Sequence, residues 1–533
     1  MKTENQSAQI DLHKSPRALM IGDTAFFESK AVDAKNQQLF GKWLLTQEWF
    51  KPFMPASMPA DLPDEDFGDL AISYFLMQDL ERAYFKARAE KNAPAWLEYI
   101  PTEIARKLEF EYIIRDAFDQ YKIVPCLPHS GIGYVVFEGG LIQEIDNVFG
   151  LHRLNGVRQL ASLHDPVIGE GECKIYPTPF HHTRYVHSLD VCAIATLIGK
   201  RCGLSQNDFI TLRVAAQSHD ALTPAGGDTI KAIDWEGLDE DAHYPELFLR
   251  PGWKEFRDKY NISEAVLAET ILGKGLLGSI LDISDKLAYT GRDLEMFLSK
   301  NRYGGHAWEN FGDSYDRMMS LISANPYPCS VWDCAELKDG QLVFTDKDRL
   351  ADFFHIRALM FKILYNNASA RFSEAGFVGE VAKVLYEDQV ITRAELLEMT
   401  DEHLFNVIAK ALNTQSLYFT VGPNSGDPRI ELFRTAEEAL KFEREVVRAE
   451  PNTMTHLDVN VKHSTSFLTK FKVLLGDKIV PFEIACPFSA WDIKQIVHDR
   501  RPYRVFMYNL SALCQNKRMT KRLLLSRDKR IGF

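Results

Sequence analysis

The tightest constraint on this chain comes from four polar residues set in apolar, helix-patterned sequence. They are His187 in TRYVHSLDV, the adjacent His219 and Asp220 in AAQSHDALT, and Asp285 in ISDKLAYTGRD. A helix that buries a histidine and a carboxylate must find partners for both, because an uncompensated buried charge is costly. Adjacent helical residues point about 100° apart, so His219 and Asp220 bracket one ion only when other helices complete its shell. His187 and Asp285 are the residues available to do so. Imidazole nitrogens with carboxylate oxygens suit one divalent cation, Mn2+, Mg2+, Fe2+ or Zn2+, that activates water or polarises a phosphate. The pattern predicts three helices converging on that ion.

The helices can be drawn from periodicity. Thr183 to Cys202 places Val186, Leu189, Ile194, Leu197 and Ile198 at mostly helical spacing and stops before Gly203. Ser205, Asn207 or Asp208 caps the next helix, which runs to the His219-Asp220 pair and ends at Pro224-Ala-Gly-Gly. A third, about 279–299, buries Ile280, Ile283, Leu287 and Leu294 and carries Asp285, Tyr289, Arg292 and Asp293 as a polar stripe.

Strand signals lie on either side. GIGYVVFEGGLIQEID, around Gly139-Gly140, predicts a β-hairpin at about 132–146. SLYFTV with RIELF, and KVLLGDKIVPFEI turning at Gly476-Asp477, predict two more, and HLDVNVKH alternates. The fold expected is mostly α: a multi-helix core over 132–405 with short β-hairpins, and a smaller α+β appendage over 406–533. Ahead of the core, 1–131 reads as a mixed, mainly helical accessory region with a Pro- and acid-rich loop, PASMPADLPDEDFGD.

The 533 residues give length for roughly two to four domains. No uncharged apolar run approaches the ~20 residues needed to span a bilayer, and MKTENQSAQIDLHKS lacks the apolar centre of a signal peptide. Eight cysteines without a CxxC pair read as reduced thiols, so a cytoplasmic protein without a membrane partner is expected. A net charge of −12 argues against general nucleic-acid binding by phosphate neutralisation. The C-terminus runs against that average, with Lys517, Arg518, Lys521, Arg522, Arg527, Lys529 and Arg530 in the last seventeen residues. This tail reads as a solvated basic face, or as a contact for an anionic effector, a nucleic acid or an acidic neighbouring subunit.

Four ordered motifs give the chain a family resemblance over about residues 135–380. The first supplies Asp146, Arg153, Leu154, Gln159 and Leu160; the second Tyr176-Pro177, Arg184, His187, Ser188 and Leu189. Then come Asp285, Lys286, Tyr289, Arg292 and Asp293, and finally Arg357, Met360, Phe361, Tyr365, Arg371 and Glu374. In these the chain resembles the deoxynucleotide-triphosphohydrolase-like branch of the HD metal-dependent phosphohydrolases, which includes the dGTPases and the sterile-alpha-motif HD enzyme. The resemblance implies an HD-domain core in which His187, His219, Asp220 and Asp285 hold the metal. It implies that Arg184, Lys286 and Arg371 meet phosphate oxygens, that Gln159, Tyr289 and Asp293 lie near the sugar, and that Tyr365 belongs to the substrate-binding set. The substrate would be a nucleotide, with hydrolysis at the α-phosphorus releasing deoxynucleoside and triphosphate. An allosteric nucleotide and assembly into a homo-oligomer are further expectations of the family.

The chain departs from the family after the His-Asp pair. Relatives carry two further histidines where this sequence has Thr223 and Asp228. Thr223 does not titrate near neutrality, and Asp228 acts as an acid only if its surroundings raise its pKa. His243 in DEDAHYPELF is the candidate replacement, so Asp228 and His243 form the expected catalytic pair. Two other readings stay open: a nucleotide-binding regulator that has lost turnover, and a phosphodiesterase or nuclease guided by the basic tail.

Overall fold

The computed structural model describes residues 141–160, 182–303, 313–325, 328–366, 377–414, 429–459, 467–498 and 502–532. Arg371, Phe372, Thr465 and five short strands within 112–176 complete the described residues. Strands β1 (Tyr112–Arg115), β2 (Val124–Pro125) and β3 (Val135–Glu138) form a small sheet in which β3 pairs parallel to β1 and antiparallel to β2. The hairpin expected at 132–146 is not formed; after β3 the chain enters helix α1 (Leu141–Phe149). Its buried Leu141, Ile142, Ile145 and Phe149 share one helix face, a spacing that outweighs the alternation around the glycine pair. The Pro- and acid-rich loop lies outside the described residues. β4 (Val167–Ile168) and β5 (Ile175–Tyr176) pair antiparallel ahead of the central helix.

That helix, α2 (Arg184–Arg201), is buried continuously from His187 to Gly199. Its sequence is apolar or small nearly all round, so only an all-sided packing position satisfies it. The Thr183 hydroxyl accepts from the Val186 amide at its start. Gly203, at φ +63°, turns the chain at its end. Of the three expected caps, Ser205 caps α3 (Gln206–Ser218), accepting from the Asp208 amide at 3.2 Å. α3 ends at Ser218, leaving His219 and Asp220 in the turn that follows. The short helices α4 (Gly227–Lys231) and α5 (Glu240–His243) come next, then α6 (Glu264–Ile271) and the long α7 (Gly275–Tyr303). α2, α3 and α7 pack against one another.

Beyond this core, β6 (Ala335–Lys338) and β7 (Gln341–Phe344) form a hairpin, and α8 (Lys347–Met360), α9 (Gly379–Glu387) and α10 (Asp401–Leu412) follow. The C-terminal part is α+β as expected. β8 (Arg429–Phe433), α11 (Ala436–Ala449) and β9 (Thr453–Val459) precede the expected hairpin of β10 (Lys472–Leu475) and β11 (Lys478–Pro481). The chain closes with α12 (Pro487–Val497), β12 (Tyr503–Asn509) and α13 (Lys517–Ile531). β10 adds in parallel to β7, giving the sheet order β11-β10-β7-β6. RIELF is β8, but it pairs with β12 in a sheet ordered β8-β12-β9; SLYFTV lies outside the described residues.

The basic tail is largely taken up in packing. Arg522 pairs with Asp388, Arg530 with the buried Glu443, and Arg527 donates to the carbonyls of Pro451 and Thr453. Lys517, Arg518, Lys521 and Lys529 remain exposed. No described helix is long and apolar enough to cross a membrane.

Candidate metal centre

His187 lies in the first turn of α2, His219 and Asp220 directly after α3, and Asp285 midway along α7. Packing brings the four together. The His187 Nε2 is 3.1 Å from Asp285 Oδ1 and 3.8 Å from Asp220 Oδ2. The His219 Nε2 is 3.7 Å from Asp220 Oδ1 and 3.9 Å from Asp285 Oδ1. One ligand atom from each of His187, His219 and Asp285 lies within 4.8 Å of the other two. Asp220 stands at the edge of this group of three, because its Oδ2 also accepts from Arg184 Nη1 at 3.0 Å.

The donor set fits a cation. His219 Nδ1 is 2.9 Å from the Ala216 carbonyl, a contact that places the ring proton on Nδ1 and leaves a lone pair on Nε2. That Nε2 is buried and has no hydrogen-bond partner. Burial opposes ionisation of Asp285, yet the bond from His187 and the neighbouring cationic groups bring it down to about 2. Asp220 is likewise held well below the carboxylate range, burial being outweighed by Arg184 and the two histidines. Burial works against charge on His187, but Asp285 and Asp220 raise its pKa above the ordinary value. Two carboxylates are thus ionised beside a buried imidazole lone pair.

A line of alternating charge leads away from this centre. Arg184 reaches Asp220 with Nη1 and approaches Asp228 Oδ2 with Nη2 at 3.5 Å. Lys231 Nζ is 3.4 Å from Asp228 Oδ1 and donates to Glu240 Oε1 at 2.5 Å. The Asp228 side chain is 76% accessible although protein atoms crowd around it. The desolvation there works to raise its pKa, but Arg184 and Lys231 lower it below the usual range. Asp228 thus stands as a carboxylate between two cations. Thr223 is buried, its hydroxyl without a partner. His243 has both ring nitrogens engaged, Nδ1 by Glu246 at 2.7 Å and Nε2 by the Glu236 carbonyl at 3.1 Å. Three residues earlier on the single-turn α5, Glu240 is the side chain that points inward.

The residues expected around the sugar are linked to one another through His182 and Tyr365. Residues 157–159 run antiparallel to 182–184, with the Gln159 amide donating to the His182 carbonyl. The buried His182 Nε2 is 2.9 Å from Asp293 Oδ1, and Tyr365 donates to Asp293 Oδ2 at 2.5 Å. Tyr289 packs edge-on to Tyr365 and accepts from Arg357 Nε at 2.5 Å. Gln159 Oε1 is buried without a partner. Two expected phosphate contacts are committed elsewhere. Lys286 donates to Asp282 at 2.5 Å, and Arg371 binds Asp458 of β9 at 2.6 Å.

The turn after His219-Asp220 is braced from two directions. Arg153 donates to the carbonyls of Thr223 at 2.6 Å and Ala221 at 3.3 Å. Asp401, at the start of α10, accepts from the amides of Gly226 at 2.7 Å and Arg158 at 2.9 Å. Arg153 belonged to a motif read from the sequence. Lys231, Glu240, His182 and Asp401 were not assigned there; each has a partner on another element that a local pattern does not show.

No protein-family model matches the chain, and no curated protein matches it in sequence. Among solved structures, it is similar to a phosphohydrolase from Bacteroides thetaiotaomicron, with a TM-score of 0.52 and 13% identity. That match covers 73% of this chain and 99% of the other. A hypothetical protein from Aquifex aeolicus matches with a TM-score of 0.46 and 14% identity, over 75% of this chain and all of the other. The chain thus shares the fold of a solved phosphohydrolase and places a His-His-Asp cluster within it.

Proposed function

We propose that this chain is a metal-dependent phosphohydrolase, with His187, His219, Asp220 and Asp285 as the residues that hold one divalent cation. The observation that carries the reading is the meeting of His187, His219 and Asp285, with the unpartnered His219 Nε2 fixed by its bond to Ala216. The fold shared with a solved phosphohydrolase supports it. When bound, such a cation supplies polarisation of a phosphoryl oxygen and a more acidic water.

The protein's own groups do the rest. Ala216 orients His219; Arg184 presents a guanidinium beside the cluster and offsets charge developing on the phosphoryl oxygens. Asp228, ionised and accessible, takes a proton from the attacking water. The finer reading is a nucleotide substrate cleaved to deoxynucleoside and triphosphate, with Tyr289 and Tyr365 walling the sugar and Gln159 and Asp293 meeting its hydroxyls. Lys286 and Arg371 join the phosphate contacts only by exchanging Asp282 and Asp458 for substrate. An allosteric nucleotide, assembly into an oligomer and nucleic-acid contact through Lys517, Arg518, Lys521 and Lys529 belong to the same proposal.

A second reading, a nucleotide-binding regulator, draws on Thr223, whose buried hydroxyl replaces a titratable group. Product analysis with separate dNTPs, NTPs and mononucleotides, each with Mn2+ or Mg2+, tests both. A His219→Ala/Asp220→Ala double variant is the control. Nucleoside plus triphosphate, lost in the variant, establishes the finer reading. Inorganic phosphate from a monophosphate moves the substrate to that class. No turnover, with nucleotide still raising the melting temperature, favours the regulator.

A further inference from the structure

Behind Asp228 the chain buries two ionisable side chains that touch none of the cation-holding residues. Lys231 and Glu240 are 8% and 9% exposed, and their 2.5 Å contact lies in a region where desolvation is severe. A buried ion pair is a weak source of stability compared with apolar side chains of similar volume. Its position is more informative. Asp220, Arg184, Asp228, Lys231 and Glu240 alternate in sign from the metal centre inward, and Asp228 divides its two oxygens between the two cations. Glu240 Oε2 is buried with no partner, so one carboxylate oxygen is left to hold a proton.

We propose that Lys231 and Glu240 are positioning residues of the hydrolytic site: Lys231, anchored by Glu240, holds Asp228 beside Arg184 and sets its strength as a base. The proposal rests on the phosphohydrolase reading. In the assisted step a water O–H bond breaks and its proton passes to a carboxylate oxygen of Asp228. The water oxygen forms a bond to phosphorus, and the bond from phosphorus to the ester oxygen breaks. The departing oxygen receives a proton back from Asp228.

The arrangement makes this base adjustable. Burial pushes the Glu240 carboxyl up to about 7, with the Asp220 charge adding and Lys231 and Arg184 opposing. The charged groups facing it come from three elements: Lys231 on α4, Arg184 on α2 and Asp220 after α3. The segment after α5 contributes Glu246, which is committed to His243 and Arg393. With Glu240 protonated, Lys231 is balanced by Asp228 alone and weakens it as a base. With Glu240 ionised, Lys231 is shared and Asp228 becomes the stronger base.

The test compares wild type, Glu240→Gln, Lys231→Met and Lys231→Arg in Mn2+ affinity and in hydrolysis of p-nitrophenyl phosphate and bis(p-nitrophenyl) phosphate across pH. Glu240→Gln should abolish a rate inflection near pH 7. Lys231→Met should lower kcat by about 100-fold or more, the scale of acid–base assistance, and Lys231→Arg should restore part of it. Mn2+ affinity should change far less than kcat, because the ion-pair partners of Lys231 are Asp228 and Glu240 and neither is a proposed ligand. A second readout uses the metal-free protein. Glu240 is raised in the fold, so its stabilising contribution is present below its unfolded value and lost as pH rises through about 7. The melting temperature of wild type relative to Glu240→Gln should therefore fall across that window. Superimposable pH–rate profiles, a constant melting difference, or rate losses that track lost Mn2+ affinity overturn the proposal. Wild-type protein inactive on the esters and on nucleotides overturns the phosphohydrolase reading, and this inference with it.

Discussion

Arg292 and Asp190 face each other in a buried, two-pronged pair, Nε to Oδ2 at 2.8 Å and Nη2 to Oδ1 at 2.5 Å. Asp190 lies three residues after His187 on α2, and Arg292 seven after Asp285 on α7. The pair locks the two helices close to the point at which His187 meets Asp285. Removing one partner leaves the other charge buried, a loss of about 3–5 kcal/mol. Asp190→Ala should lower stability by that amount in urea unfolding and weaken Mn2+ binding, although Asp190 is outside the proposed ligand set.

Substitution of a proposed ligand should separate binding from folding. His219→Ala removes the unpartnered Nε2 and one bond to Ala216. Loss of outer partners alone costs about 10- to 100-fold in metal affinity, so loss of the imidazole should cost at least about 100-fold. Calorimetric Mn2+ titration checks this, with circular dichroism showing an unchanged helix content.

Proton and metal should compete at the site. His187 is raised in the fold, so its stabilising contribution is present below the ordinary histidine value and lost as pH rises through its raised pKa. Asp285 is lowered to about 2, so its contribution is present above the ordinary carboxylate value and lost as pH falls through about 2. Metal-free protein should lose stability at both limits. Mn2+ affinity should rise with pH as the His187 proton is displaced, with proton release detectable by calorimetry in buffers of different ionisation enthalpy.

The brace on the turn after Asp220 should be measurable on its own. Arg153→Met removes charge-assisted bonds to Thr223 and Ala221, each worth about 1.5–3 kcal/mol at most. The variant should melt lower and exchange the amides of 221–227 faster, while α2 and α7 keep their protection.

Much of the central arrangement was legible because it is local. The apolar lengths of α2, α3 and α7 fix where His187, His219-Asp220 and Asp285 stand, and the β10–β11 hairpin follows from one glycine turn. What escaped depends on distant pairing. β8 joins β12 some seventy residues on, and β10 joins β7, so neither partner is visible in a local pattern. α1 was misassigned because the glycine pair and alternation of β3 masked a helix spacing that begins at Leu141. Glu240 drew no attention in the sequence because a lone glutamate in an acidic stretch reads as solvated, whereas in the fold it is buried and its carboxyl is pushed up to about 7 by that burial, against the opposing charge of Lys231.

The central claim is that His187, His219 and Asp285, with Asp220 beside them, hold one divalent cation. Anomalous diffraction at the manganese edge from crystals grown with MnCl2 tests it most directly. A single peak within coordinating distance of His187 Nε2, His219 Nε2 and an Asp285 oxygen, absent in His219→Ala, is the expected result. Manganese bound elsewhere, or no peak at saturating Mn2+ with His187 still bonded to Asp285, would contradict the account.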